Sequence, residues 1–124
     1  MRITRRSKKL VATCVAHPMP VHTSDYVLDE LITLLFRRET YEESVRFLDG
    51  LFADSARGAL QIQRVTTERF QAALELRKRF RDKPDISFTD LTSMMIMREL
   101  QIKAVVTEDN HFQQVGMGFE ILMQ

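Results

Sequence analysis

The sequence predicts an α/β fold built on a mainly parallel sheet. Short strand-like segments at 21–23, 60–65, 104–107 and 119–122 alternate with stretches of helical periodicity at about 25–38, 40–56, 66–80 and 87–101. Strands kept apart by helices in this way pair in parallel, because a parallel neighbour can be reached only through a crossover. The segment Ala104–Thr107 carries no charge, as expected of a parallel strand covered on both faces.

The elements follow in order. Residues 1–9 hold five basic residues and no acid, either a solvated helix start or an arm that contacts phosphate. The run LVATCVA at 10–16 suits a buried strand and one face of a helix equally well. Pro18 and Pro20 break the chain after it. In the helix at 25–38, with Ser24 or Thr23 as N-cap, Val27, Leu28, Leu31, Leu34 and Leu35 share a face. Arg37 and Arg38 complement the helix dipole at its end. Thr40 and Glu43 form a capping-box pattern opening the second helix. Val45, Phe47, Leu48, Leu51 and Phe52 supply the apolar side of that helix.

Residues 60–65 alternate apolar and polar, the pattern of a strand with one wet face. The helix from Thr66 to Phe80 turns Phe70, Ala73, Leu74 and Phe80 towards the core. Ser87 opens a fourth helix in which Leu91, Met94, Met95, Ile96, Met97 and Leu100 surround most of the circumference. That makes it the most buried helix expected. Residues 108–112 turn into a short helix before the last strand.

At 124 residues the chain is expected to be a single domain with a core of its own. Near-average composition, with 44% hydrophobic and 28% charged residues, argues against disorder. A lone cysteine, Cys14, excludes an internal disulfide or a cysteine-built zinc site and fits a cytoplasmic protein. No apolar run reaches the roughly 18 residues a membrane span needs. The net charge of +1 says little about nucleic acid, because local patches govern that interaction.

Three carboxylates gather by topology. In open α/β sheets, sites form beyond the carboxyl ends of the strands. Glu30 lies at the flank of the first helix's apolar face, whereas Asp29 points to solvent. Asp90 sits in the first turn of the fourth helix, and Asp109 just past the 104–107 strand. Each has a plain structural role open to it: a surface residue, a capping-box acid and a cap, respectively. Three carboxylates about 5 Å apart repel by roughly 3 kcal/mol per pair at an effective dielectric near 20. Such a group persists when protonated, paired or bound to metal. All-oxygen ligands suit Mg²⁺ or Mn²⁺, and carboxylate-held metals serve phosphodiester hydrolysis.

The segments Thr23-Ser-Asp-Tyr-Val-Leu-Asp-Glu30-Leu31, Ser87-Phe-Thr-Asp90 and Val106-Thr-Glu-Asp109-Asn-His-Phe112 resemble successive motifs of PIN domains, above all the VapC-type toxins. The resemblance covers about residues 20–122. It implies a three-layer α/β/α fold around a central parallel sheet and Mg²⁺- or Mn²⁺-dependent endoribonuclease chemistry. Glu30, Asp90 and Asp109 match the family's metal-holding, catalytic positions. Ser87 and Thr107 match small hydroxyl residues found beside that site. The resemblance also implies an RNA substrate and an antitoxin protein as partner.

One feature departs from the family pattern. PIN domains usually begin with a central strand ending in an Asp, and no acid precedes Asp25 here. The expectation is an N-terminally truncated domain, with three accounts open: a start placed too far downstream, a relative that no longer cleaves, or a gap filled by residues 10–16 or by another chain. A lost middle strand exposes backbone donors and acceptors, which favours a dimer or higher oligomer.

Arg77, Lys78, Arg79, Arg81 and Lys83 form the densest basic stretch, fitted either to complement a helix dipole or to guide phosphates. His17, His22 and His111 match no zinc spacing. His111 follows the Asp109 motif, either within reach of a substrate phosphate or as a surface histidine. Two functions follow: a metal-dependent endoribonuclease of toxin type, or a PIN-like remnant that oligomerises and binds RNA or protein without cleaving.

Overall fold

The computed structural model describes residues 21–107 and 111–123. The expectations for the basic arm at 1–9, the 10–16 run, Cys14, His17 and Asp109 lie outside these residues. The chain forms two compact units that meet in sequence between Gln63 and Arg64.

The first unit contains strand β1 (Val21–Ser24), helix α1 (Asp25–Arg38), helix α2 (Tyr41–Ala56) and strand β2 (Leu60–Gln63). β1 and β2 pair in parallel with Val21 opposite Leu60 and Ser24 opposite Gln63, so the two helices are the crossover between them. Both helices begin on a hydroxyl cap. Ser24 Oγ accepts from the Val27 amide at 3.2 Å, and Thr40 Oγ1 from the Glu43 amide at 3.1 Å. Leu28, Leu51 and Leu60 form the buried cluster, with Val21, Leu31, Phe47 and Ile62 packed against it. Ser44 is fully buried and donates its hydroxyl to the Leu35 carbonyl at 3.0 Å, tying α2 to α1. Phe52, expected on the apolar side of α2, is instead 46% exposed. It lies one position, about 100° of helix, beyond Leu51, which takes the core site.

The second unit contains helix α3 (Thr67–Arg79), helix α4 (Phe88–Leu100), strand β3 (Ala104–Val106), helix α5 (His111–Gln114) and strand β4 (Glu120–Met123). β3 and β4 pair in parallel, with a bulge after Val105 that sets Val106 opposite Met123. Among the described residues, the parallel pairing expected from the strand–helix alternation is thus present in both units, as two two-stranded sheets.

Thr66 and Ser87 cap α3 and α4 through the amides of Arg69 and Asp90. Among the described helices α4 is the most buried, as its patterning predicts, with Leu91, Thr92, Met94, Ile96 and Met97 all buried. It ends at Gln101, whose φ of 59° is left-handed, while the Ile102 amide bonds the Met97 carbonyl at 2.8 Å. That is a Schellman-type stop made without glycine. On α3 the core takes Ala73 and Leu76 rather than Phe70 and Leu74, which are 41% and 39% exposed. Spacing explains Leu74: Ala73, Leu76 and Phe80 recur at i, i+3 and i+7, whereas Leu74 points about 100° away. Phe70 instead meets Phe88 edge-on at 4.9 Å. Among the described residues, no helix is long and apolar enough to cross a membrane.

Candidate active site

Asp90 is set by two local devices. Ser87 Oγ accepts from the Asp90 amide at 3.0 Å, which places Asp90 in the first turn of α4. The adjacent Leu91 is fully buried and anchors that turn in the core. Ser87 therefore acts as a helix cap beside the carboxylate.

The loop leading into α4 is held by Arg77. Its Nη1 donates to the Ile86 carbonyl, and its Nη2 donates to the carbonyls of Phe80 and Lys83, each at 2.7 Å. A planar guanidinium fits this task because its fork presents several donors at fixed angles. The arrangement connects the last turn of α3 to the residue just before the α4 cap. Around it, Lys78 pairs with Glu75 at 3.3 Å and Lys83 with Asp82 at 2.8 Å. Hydrogen bonding from Lys83 holds the Asp82 carboxyl below the usual carboxylate range. Arg79 and Lys83 both lie near the Phe80 ring, and Arg81 is exposed.

His111 opens α5, and its Nδ1 stands 2.9 Å from Asp90 Oδ2. The next residue, Phe112, is 3% exposed and packs edge-on against Phe119, which pins the start of α5. The pair is half-buried, with 23% of the His111 side chain and 20% of the Asp90 side chain exposed. The local sequence motifs do not reveal this partnership, because 21 residues separate the two. Asp90 thus has a structural partner beyond the capping pattern in which the sequence placed it.

Thr107 follows β3 and is half-buried. In the first unit, Glu30 is half-buried on α1 while Asp29 is exposed, as their positions around the helix require. His22 Nδ1 lies 3.1 Å from the Gln63 side-chain amide, accepting from it across the β1–β2 pair. Among the described residues, no group of three His, Cys, Asp or Glu side chains stands close enough to hold a metal ion.

Parallel strands joined by helical crossovers, with a carboxylate at the head of a buried helix, define a class that comparison identifies. The chain belongs to the PIN-domain family, whose model matches residues 4–117. Among solved structures it is similar to VapC20 of Mycobacterium tuberculosis, a Sarcin-Ricin loop cleaving toxin. The two share 30% identity and a TM-score of 0.68 over 88% of this chain and 78% of that one. A comparison with curated proteins finds no match.

Proposed function

We propose that this chain is a metal-dependent endoribonuclease of the VapC type. Its candidate catalytic carboxylate is Asp90, and by family resemblance Glu30 and Asp109 match the other metal-holding positions for RNA phosphodiester hydrolysis. The observation that carries the reading is the Asp90 carboxylate, capped into the first turn of a buried helix in a chain of the PIN family. Its similarity to VapC20 supports RNA as the substrate and an antitoxin protein as the partner. The donor chemistry fits Mg²⁺ or Mn²⁺: the three residues offer only hard carboxylate oxygens. When bound, such an ion activates a water and offsets charge on the attacked phosphate. Asp90, Glu30 and Asp109 would hold it. Lys78, Arg81 and Lys83 are the phosphate-contacting candidates, and Arg77 fixes the loop that carries its neighbours. The cytoplasm is the compartment that a single cysteine and an RNA substrate suit.

The test is cleavage of a mixed single-stranded RNA by the full chain with Mn²⁺ or Mg²⁺, with Asp90→Asn as control. The expected result is metal-dependent cleavage that falls at least a hundredfold in the variant, in line with the loss of one charge-stabilising group. A folded chain that binds RNA but does not cleave it would overturn the reading in favour of a binding module.

A further inference from the structure

We infer that His111 is a positioning residue: its Nδ1–H holds Asp90 Oδ2 and so orients the carboxylate for a divalent cation. The inference rests on the metal-site reading proposed above. An ionised carboxylate has only acceptor atoms, so the ring nitrogen 2.9 Å from it must be the one carrying hydrogen. For a neutral ring this is the Nδ1–H tautomer.

Both partners are fixed from below. Leu91 is fully buried beside Asp90, and Phe112 is 3% exposed beside His111, so core packing holds the two backbones. Only about a fifth of each side chain is open to water, which limits competition for the hydrogen bond. A carboxylate tethered at one oxygen has lost rotation about its Cβ–Cγ bond before a cation arrives. Hydrogen-bond partners of this kind orient ligands at metal sites and change affinity by about ten- to a hundredfold. The same geometry assigns His111 a task distinct from contact with a substrate phosphate.

The test compares His111→Leu, His111→Asn and His111→Gln in the full chain, reading Mn²⁺ affinity directly by calorimetry or by the spin signal of free Mn²⁺. An asparagine amide nitrogen stands where Nδ1 stood; a glutamine amide nitrogen reaches the place of Nε2. The leucine variant should bind Mn²⁺ about ten- to a hundredfold more weakly. Asparagine should restore most of that loss and glutamine little of it, while the KM for RNA at saturating Mn²⁺ stays unchanged. Nitrogen-15 spectra of the imidazole should give the Nδ1–H tautomer for His111 without metal and should change in Asp90→Ala. Wild-type affinity in the leucine variant, rescue by glutamine alone, or an Nε2–H tautomer each overturns the inference and leaves the metal-site reading standing. A wild-type chain that binds no Mn²⁺ defeats that reading, and this inference with it.

Discussion

Arg77 illustrates how a charged residue can be spent on architecture. Its guanidinium donates to three carbonyls of the 80–86 loop, the connection that delivers the chain to the α4 cap. Hydrogen bonds from charged donors contribute more than neutral ones, and removing Arg77 takes its donor from the Ile86 carbonyl and leaves the Phe80 and Lys83 carbonyls only the backbone amides of Lys83 and Ile86. Arg77→Ala should lower unfolding stability by roughly 2–3 kcal/mol, read by urea denaturation. Arg77→Lys should recover little, because a single ammonium cannot span three acceptors set around a planar fork. Equal stability of the lysine variant and wild type would count against the clamp. Asp90 and His111 follow a related rule, since each polar residue is immediately followed by a buried apolar one, Leu91 or Phe112. The core residue sets where the polar one stands.

Among the elements, the α3–α4 pair organises the second unit. Ala73 and Leu76 from α3 share a buried cluster with Leu91, Met94 and Met97 from α4. At its rim Arg69 binds Glu99 through two hydrogen bonds, at 3.0 and 2.5 Å, and also donates to the Arg64 carbonyl at 2.8 Å. The hydrogen bonds from Arg69 hold the Glu99 carboxyl below its ordinary value. A depressed carboxylate stabilises the fold above its unfolded-state pKa, and this contribution is lost as pH falls through the folded-state value. Glu99 is half exposed, so the effect is small and screened by salt. Wild type should be slightly more stable than Glu99→Gln at neutral pH, and the gap should close below the ordinary glutamate range. Thermal melts of both proteins across acidic pH test this; a gap that persists at the lowest pH would contradict it.

For the whole molecule, self-association is the expectation to measure. Unpaired strand edges favour association between chains. The surface adds large exposed apolar residues: Tyr41 at 69%, Leu122 at 54% and Phe52 at 46%. Phe36, also exposed, stacks at a tilt on Tyr41 with ring centroids 5.9 Å apart. It is contiguous apolar patches, more than residues scattered singly, that mark interfaces, and Phe36 with Tyr41 is the contacting pair here. Light scattering at micromolar concentration should give the mass of two or more chains. The mass of one chain would remove the expectation and turn attention to a different protein as the cover for these residues.

Much of this protein is determined by sequence alone. Periodicity and hydroxyl caps place α1, α2 and α4 nearly to the residue, because helix initiation depends on local groups such as Ser24, Thr40 and Ser87. The ordered motifs around Glu30, Asp90 and Asp109 are enough to point to the family that the 4–117 match establishes. The sequence also separates Glu30 from Asp29, since 100° of helix rotation divides the two. Tertiary structure alone decided that Phe70, in phase with Ala73 and Leu76 on α3, meets Phe88 at the rim instead of entering the core. It also decided that Arg77 closes a loop and that His111 meets Asp90. Both outcomes depend on chain segments brought together by folding, and no local pattern encodes such a meeting.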